Sequence, residues 1–154
     1  MNPDKLLLLR NELNNLDKAA AYLATSIDRS SGLAGRSDLG AEELERLESM
    51  ASRFARLSDL LTQRVMRLMD DLELTPEGSM LDRIQRAEKR GWVQSAQDLV
   101  RIRELRNLVA HEYAADRMAE LYTGISRLAP LLLAVVPRVR SYAEDLAKRF
   151  GSPP

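Results

Sequence analysis

One short segment concentrates the side chains that could do chemistry: RIRELRNLVAHEY, from Arg101 to Tyr113, carrying the sequence's only histidine, His111. Histidine titrates near neutrality unaided, so it can take a proton as general base or give one as general acid. Arginine presents a rigid fork of donors that matches a phosphate group better than an ammonium does. A lone histidine does not suit a metal centre, since zinc normally takes three protein ligands. The sequence has no cysteine, which removes thiolate ligands, disulfides and a cysteine nucleophile. No nucleophile elbow and no Ser, His and Asp order is present.

Projected on a helix at about 100° per residue, Leu99, Ile102, Leu105, Val109 and Tyr113 fall within about one third of the circumference. Arg106 falls inside that apolar sector. A guanidinium on a buried side must be paired or open into a cleft, because an unpaired buried charge is very costly. Two readings follow. Either Arg106 pairs with a carboxylate of the second helix while His111 and Asn107 stitch the fold together, or the segment lines a working site. On the same projection His111 lies roughly 140° from Arg106, on the flank of Glu104 and Asn107. Asn107, four residues earlier, is placed to orient the imidazole.

The elements that must position this segment read as helices. Leu6, Leu9, Leu13, Leu16, Ala20, Leu23 and Ile27 step by threes and fours, which is one apolar seam ending near Asp28. The Gly- and Ser-rich stretch over about 29–40 is expected to be a flexible loop, and it lacks the Lys-Ser or Lys-Thr pair of a phosphate loop. A second helix is expected from Ala41 to Glu73, with a seam through Leu44, Leu47, Ala51, Phe54, Leu57 or Ser58, Leu61, Val65, Leu68 and Leu72. Charges such as Glu42, Arg53 and Asp59 read as its solvated faces. Ser79 with Asp82 resembles a capping box opening a short helix with a weak face of Leu81, Ile84 and Ala87, which Gly91 stops. Ser95 opens a fourth helix to about Glu112. A fifth runs from about Asp116 to Phe150, where Pro130 and Pro137 should kink it. No stretch alternates with period two, so the fold class expected is all-α: an antiparallel up-and-down bundle of four to five helices.

Composition agrees. A chain of 154 residues fits a single domain, expected over 1–150 with a short tail at 151–154. With 23 basic and 23 acidic residues the formal charge is zero, which disfavours a blanket electrostatic nucleic-acid binder and leaves a local basic patch open. The basic residues are 19 arginines and 4 lysines, as GC-rich codons or phosphate recognition would give. The longest apolar run, Leu128 to Pro137, is about half of what a membrane helix needs. No membrane segment and no leader is read, and a cytoplasmic location is expected.

The segment RNLVAHEY, Arg106 to Tyr113, preceded by SMLDRIQRAEKRGWV, resembles the signature of the HEPN superfamily and more specifically its HepT-like branch. The recognisable part covers residues 79–113; the rest agrees as helix order. The resemblance implies a metal-independent endoribonuclease toxin, silenced by a minimal nucleotidyltransferase partner. Arg106 and His111 would be the catalytic pair, with Asn107 and Glu104 as supporting polar groups. Tyr113 would be the tyrosine the partner adenylylates. It also implies a homodimer whose two motifs face one cleft, RNA rather than DNA as substrate, and no cofactor or metal. Arg101 and Arg103 are candidates for flanking phosphates or for ion pairs with nearby carboxylates. The competing function is a non-catalytic substrate-binding or partner subunit of a minimal nucleotidyltransferase.

Overall fold

The computed structural model describes residues 2–111 and 117–151. Among them every regular element is helical: α1 (Pro3–Arg29), α2 (Ala41–Asp59), α3 (Met66–Leu72), α4 (Met80–Lys89), α5 (Ala96–Val109) and α6 (Met118–Gly151). A π-helical stretch, Leu60–Val65, joins α2 to α3 without a break. The local starts are those the sequence signals. The Asn2 side chain accepts the Asp4 amide at 2.9 Å, with Pro3 opening the first turn. Ser79 and Asp82 cap each other, the Asp82 amide reaching Ser79 Oγ at 3.1 Å and the Ser79 amide reaching Asp82 Oδ2 at 2.9 Å. Gly91, at φ 82°, turns the chain out of α4 in a left-handed conformation that other residues adopt at a cost.

The core follows from these seams. α1 packs on α2 and α6, α2 on α5 and α6, and α5 on α4 and α6. Leu16, Leu23, Phe54, Leu61, Leu99, Ile125 and Leu132 are closed to solvent at the meeting faces. Each such side chain contributes about 1.5–3 kcal/mol by leaving water. α6, with Pro130 and Pro137 inside it, runs as one helix. Among the described residues Met118–Phe150 alone is long and apolar enough to cross a membrane by length and composition. Here its Ile125, Ala129, Leu132 and Val139 are fully buried in the protein.

Three expectations are corrected. Leu81 is half-exposed rather than on the inner face of α4, which instead buries Arg83, Ile84 and Ala87. In the second rod the π turn widens the spiral, so Met66 and Met69 take the buried positions and Leu68 moves to the edge. α5 stops at Val109 instead of reaching Glu112, so the helical projection does not apply to His111. In the stretch after α1, Leu33 is buried, Ser30 Oγ donates to the Arg46 carbonyl at 3.2 Å, and Arg36 reaches Glu43 at 2.8 Å. Tyr113 and residues 152–154 of the expected tail lie outside the described residues.

Candidate functional site

On α5, Leu99, Ile102 and Arg106 follow one another at steps of three and four, and the first two are buried. Arg106 therefore enters the apolar sector, and α2 supplies what it needs there. Arg106 Nε donates to Asp59 Oδ1 at 2.7 Å and Nη2 to Asp59 Oδ2 at 2.7 Å, a two-pronged ion pair. Arg103, one turn earlier, donates from Nη1 to Asp59 Oδ1 at 2.8 Å and to Ser58 Oγ at 3.2 Å. Asp59 thus holds two guanidinium groups. Burial pushes its carboxyl pKa up, but hydrogen bonds from Arg106 and Arg103 and their charges outweigh this and hold it below the ordinary carboxylate value. The hydrogen bond from Arg106 to Asp59 raises the guanidinium in return.

The π turn explains why α2 presents polar groups here. Asp59 immediately precedes it, and the Met66 amide reaches back five residues to the Leu61 carbonyl. Within the slipped ladder the Thr62 hydroxyl donates to the Ser58 carbonyl at 2.8 Å. Ser58 and Asp59 thus set polar groups opposite Arg103 and Arg106.

Arg106 and His111 line one groove of about 640 Å³, with Glu48, Ser52, Met118 and Tyr122 among its other walls. The chain caps at Ala110, whose amide reaches the Asn107 carbonyl at 3.2 Å, and the His111 amide reaches Leu108 at 3.1 Å. This turn past the helix end brings the exposed His111 into the groove where Arg106 lies, so the divergence expected from a continuous helix does not hold. Burial, and then the charge of Glu48, pushes the Tyr122 phenol up, leaving it a neutral donor in the wall. Arg106 spends two of its five N–H groups on Asp59.

The other expected residues separate. Asn107 is exposed on the last turn of α5 and does not line the groove. Glu104 and Arg101 line a different groove of about 760 Å³ between α5 and α6, together with Arg117, Glu120 and Arg127. Arg103 is committed to Asp59 and Ser58, as the ion-pair reading of that residue had it. Sequence reasoning placed Asp59 on a solvated face; the structure makes it the partner of Arg106. The available signal was the seam hesitating between Leu57 and Ser58, where a polar residue enters an apolar column. Among the described residues no cluster of three metal-ligating side chains occurs.

No family model matches this chain, and no curated protein or solved structure matches it either.

Proposed function

We propose that this chain is a metal-independent endoribonuclease of the HEPN, HepT-like kind, an antiparallel up-and-down bundle acting in the cytoplasm as a homodimer and silenced by a minimal nucleotidyltransferase. The observation that carries the reading is that Arg106 and His111 line one groove while Asp59 fixes the Arg106 guanidinium. RNA cleavage needs a base to take the 2′-hydroxyl proton as that oxygen attacks phosphorus, and an acid to protonate the departing 5′-oxygen. His111 is suited to these proton transfers. The negative charge gathering on the phosphoryl oxygens needs a donor already in place, and Arg106 is held from behind for that role. The chain has one histidine, so a second copy would supply separate acid and base. DNA lacks the 2′-hydroxyl and should be spared.

One observation favours the competing reading of a non-catalytic partner subunit: Asp59 already balances the charge of Arg106. The deciding experiment incubates the purified protein with RNA in EDTA. The nuclease reading expects fragments ending in 2′,3′-cyclic phosphate and 5′-hydroxyl, with DNA intact. Intact RNA together with tight binding of a minimal nucleotidyltransferase assigns the chain as a binding subunit instead.

A further inference from the structure

A separate groove of about 460 Å³ lies where α1, the α2–α3 rod and the 73–79 loop meet, and it shares no lining residue with the His111 groove. Among the described residues only two charged side chains are buried, Asp70 and Arg83, and both line it. Their circumstances differ. Asp70 meets Arg86 at 2.7 Å and Arg90 at 2.8 Å. Arg83 is 4% exposed and meets no carboxylate: Nη1 donates to the Gly78 carbonyl at 3.1 Å, Nη2 faces the Met80 sulfur at 3.8 Å, and Nε has no acceptor.

The surroundings carry both signs: Glu12, Asp70, Asp71 and Glu77 line the groove with Arg64, Arg67 and Arg83. Arg67 of α3 lines the same groove and forms no ion pair among the described residues. Burial, and then the charge of Arg67, pushes the Arg83 pKa down, while the charges of Asp70 and Glu77 oppose the shift. A buried cation with no carboxylate in direct contact is costly, and the more distant charges of Asp70 and Glu77 offset only part of that cost. The start of α4 does not supply the attraction for an anion, because Ser79 and Asp82 already close it. Across the groove, Glu12 of α1 has a buried Oε2 with no donor, and its other oxygen makes only a 3.4 Å contact with Arg64. The groove therefore leaves Arg83 Nε without an acceptor and Glu12 Oε2 without a donor. Leu8 and Leu68 supply an apolar wall.

We infer that this groove binds a small phosphorylated polyol, its phosphomonoester set against Arg67 and Arg83 and its hydroxyl groups donating to Glu12. A sugar phosphate and a nucleotide share this chemistry, and the volume is in the range of small-molecule sites. The inference is independent of the nuclease reading.

The test is calorimetric titration of the intact protein with ribose 5-phosphate, inorganic phosphate, ribose and uridine 5′-monophosphate. Ribose 5-phosphate should bind, inorganic phosphate more weakly, and ribose not measurably. Uridine monophosphate binding tighter than ribose 5-phosphate marks a nucleotide site; equal or weaker binding marks a sugar-phosphate site. Arg67→Gln, at an exposed position, should weaken ribose 5-phosphate about tenfold or more. Arg83→Met should abolish binding, and if that variant fails to fold, Arg67→Gln and Glu12→Gln decide. Glu12→Gln should weaken ribose 5-phosphate while leaving inorganic phosphate unchanged. His111→Ala should bind as the wild type does. No heat from any phosphorylated probe at millimolar concentration overturns the site. So does binding indifferent to Arg67→Gln and Glu12→Gln, or binding lost in His111→Ala, which would put the ligand in the other groove.

Discussion

Asp59 grips Arg106 with both carboxylate oxygens, 2.7 Å from Nε and 2.7 Å from Nη2. The pair joins the end of α2 to the last turn of α5, and Arg103 reinforces it from one turn back. A long, rotamer-rich side chain is thereby held in one geometry before any ligand arrives. The same contact stabilises the fold and orients the residue that faces the groove.

Replacing Asp59 by Asn keeps the shape and removes the charge. The folded-state carboxyl lies below its ordinary value of about 3.9. Its stabilisation is therefore complete above that value and is lost as pH falls through the folded one. With 35% of the side chain open to solvent, the cost should lie between that of a surface and a buried pair, about 1–2 kcal/mol at pH 7. Urea unfolding at neutral pH and near pH 3 checks this. The variant should be weaker at neutral pH, by a margin that narrows in acid; equal losses at both would show that charge is not what Asp59 contributes.

Tyr142 of α6 offers a second titration. The Tyr142 hydroxyl lies 2.7 Å from Glu73 Oε2 and 2.9 Å from Oε1, and its ring meets Trp92 edge-on at 5.6 Å. Burial, and then the hydrogen bond and charge of Glu73, pushes the phenol above its ordinary value. A raised folded value stabilises below the ordinary one, about 10, and that gain is lost as pH rises through the folded one. Tyr142→Phe should cost about 1–2 kcal/mol near neutrality. Thermal melts should also show a shallower alkaline decline than the wild type; an identical decline would locate the titration elsewhere.

How much of this could be read in the residues varies by element. The seam of α1 and the mutual caps at Ser79 and Asp82 are local, so spacing alone finds them. The inward aim of Arg106 was legible too, because Leu99 and Ile102 fix the face of α5. A carboxylate of the second helix as its partner was legible as well, but not which one. Asp59 adjoins a π turn whose wider spiral reshuffles the rod beyond it, and no residue type announces that turn. His111 was misplaced because α5 ends at Ala110 without a glycine or proline to mark the stop. Nothing in the spacing of α4 singles out Arg83. Its burial depends on the 73–79 loop, whose Gly78 carbonyl accepts from it, and tertiary placement of a loop leaves no periodic trace.

Oligomeric state is a third expected outcome. One histidine per chain leaves acid and base work to a single imidazole, whereas two copies sharing a cleft would divide it. Sedimentation or light scattering at tens of micromolar should give twice the 17.4 kDa chain mass. A monomer that still cleaves RNA would show that one chain is sufficient.

The last outcome separates the roles of three residues on one segment. His111→Ala removes the proton-transfer group, so RNA cleavage should fall about a hundredfold or more. Its exposed position predicts a smaller change in melting temperature than Arg106→Ala gives. Arg106→Ala should lose about 3–4 kcal/mol of transition-state stabilisation if it acts as a preorganised donor, and should also destabilise the fold by leaving Asp59 with Arg103 alone. Arg103→Ala removes a contact to Asp59 without touching the groove, so it should lower stability more than activity. The three variants therefore differ in the ratio of lost activity to lost stability: high for His111, intermediate for Arg106, low for Arg103. Cleavage assays in EDTA with matched urea curves measure both quantities. Cleavage that persists in His111→Ala, or that requires magnesium, rejects the proposed chemistry. Losses at Arg103 and Arg106 that both track stability alone would leave their ion pairs with Asp59 a purely structural role.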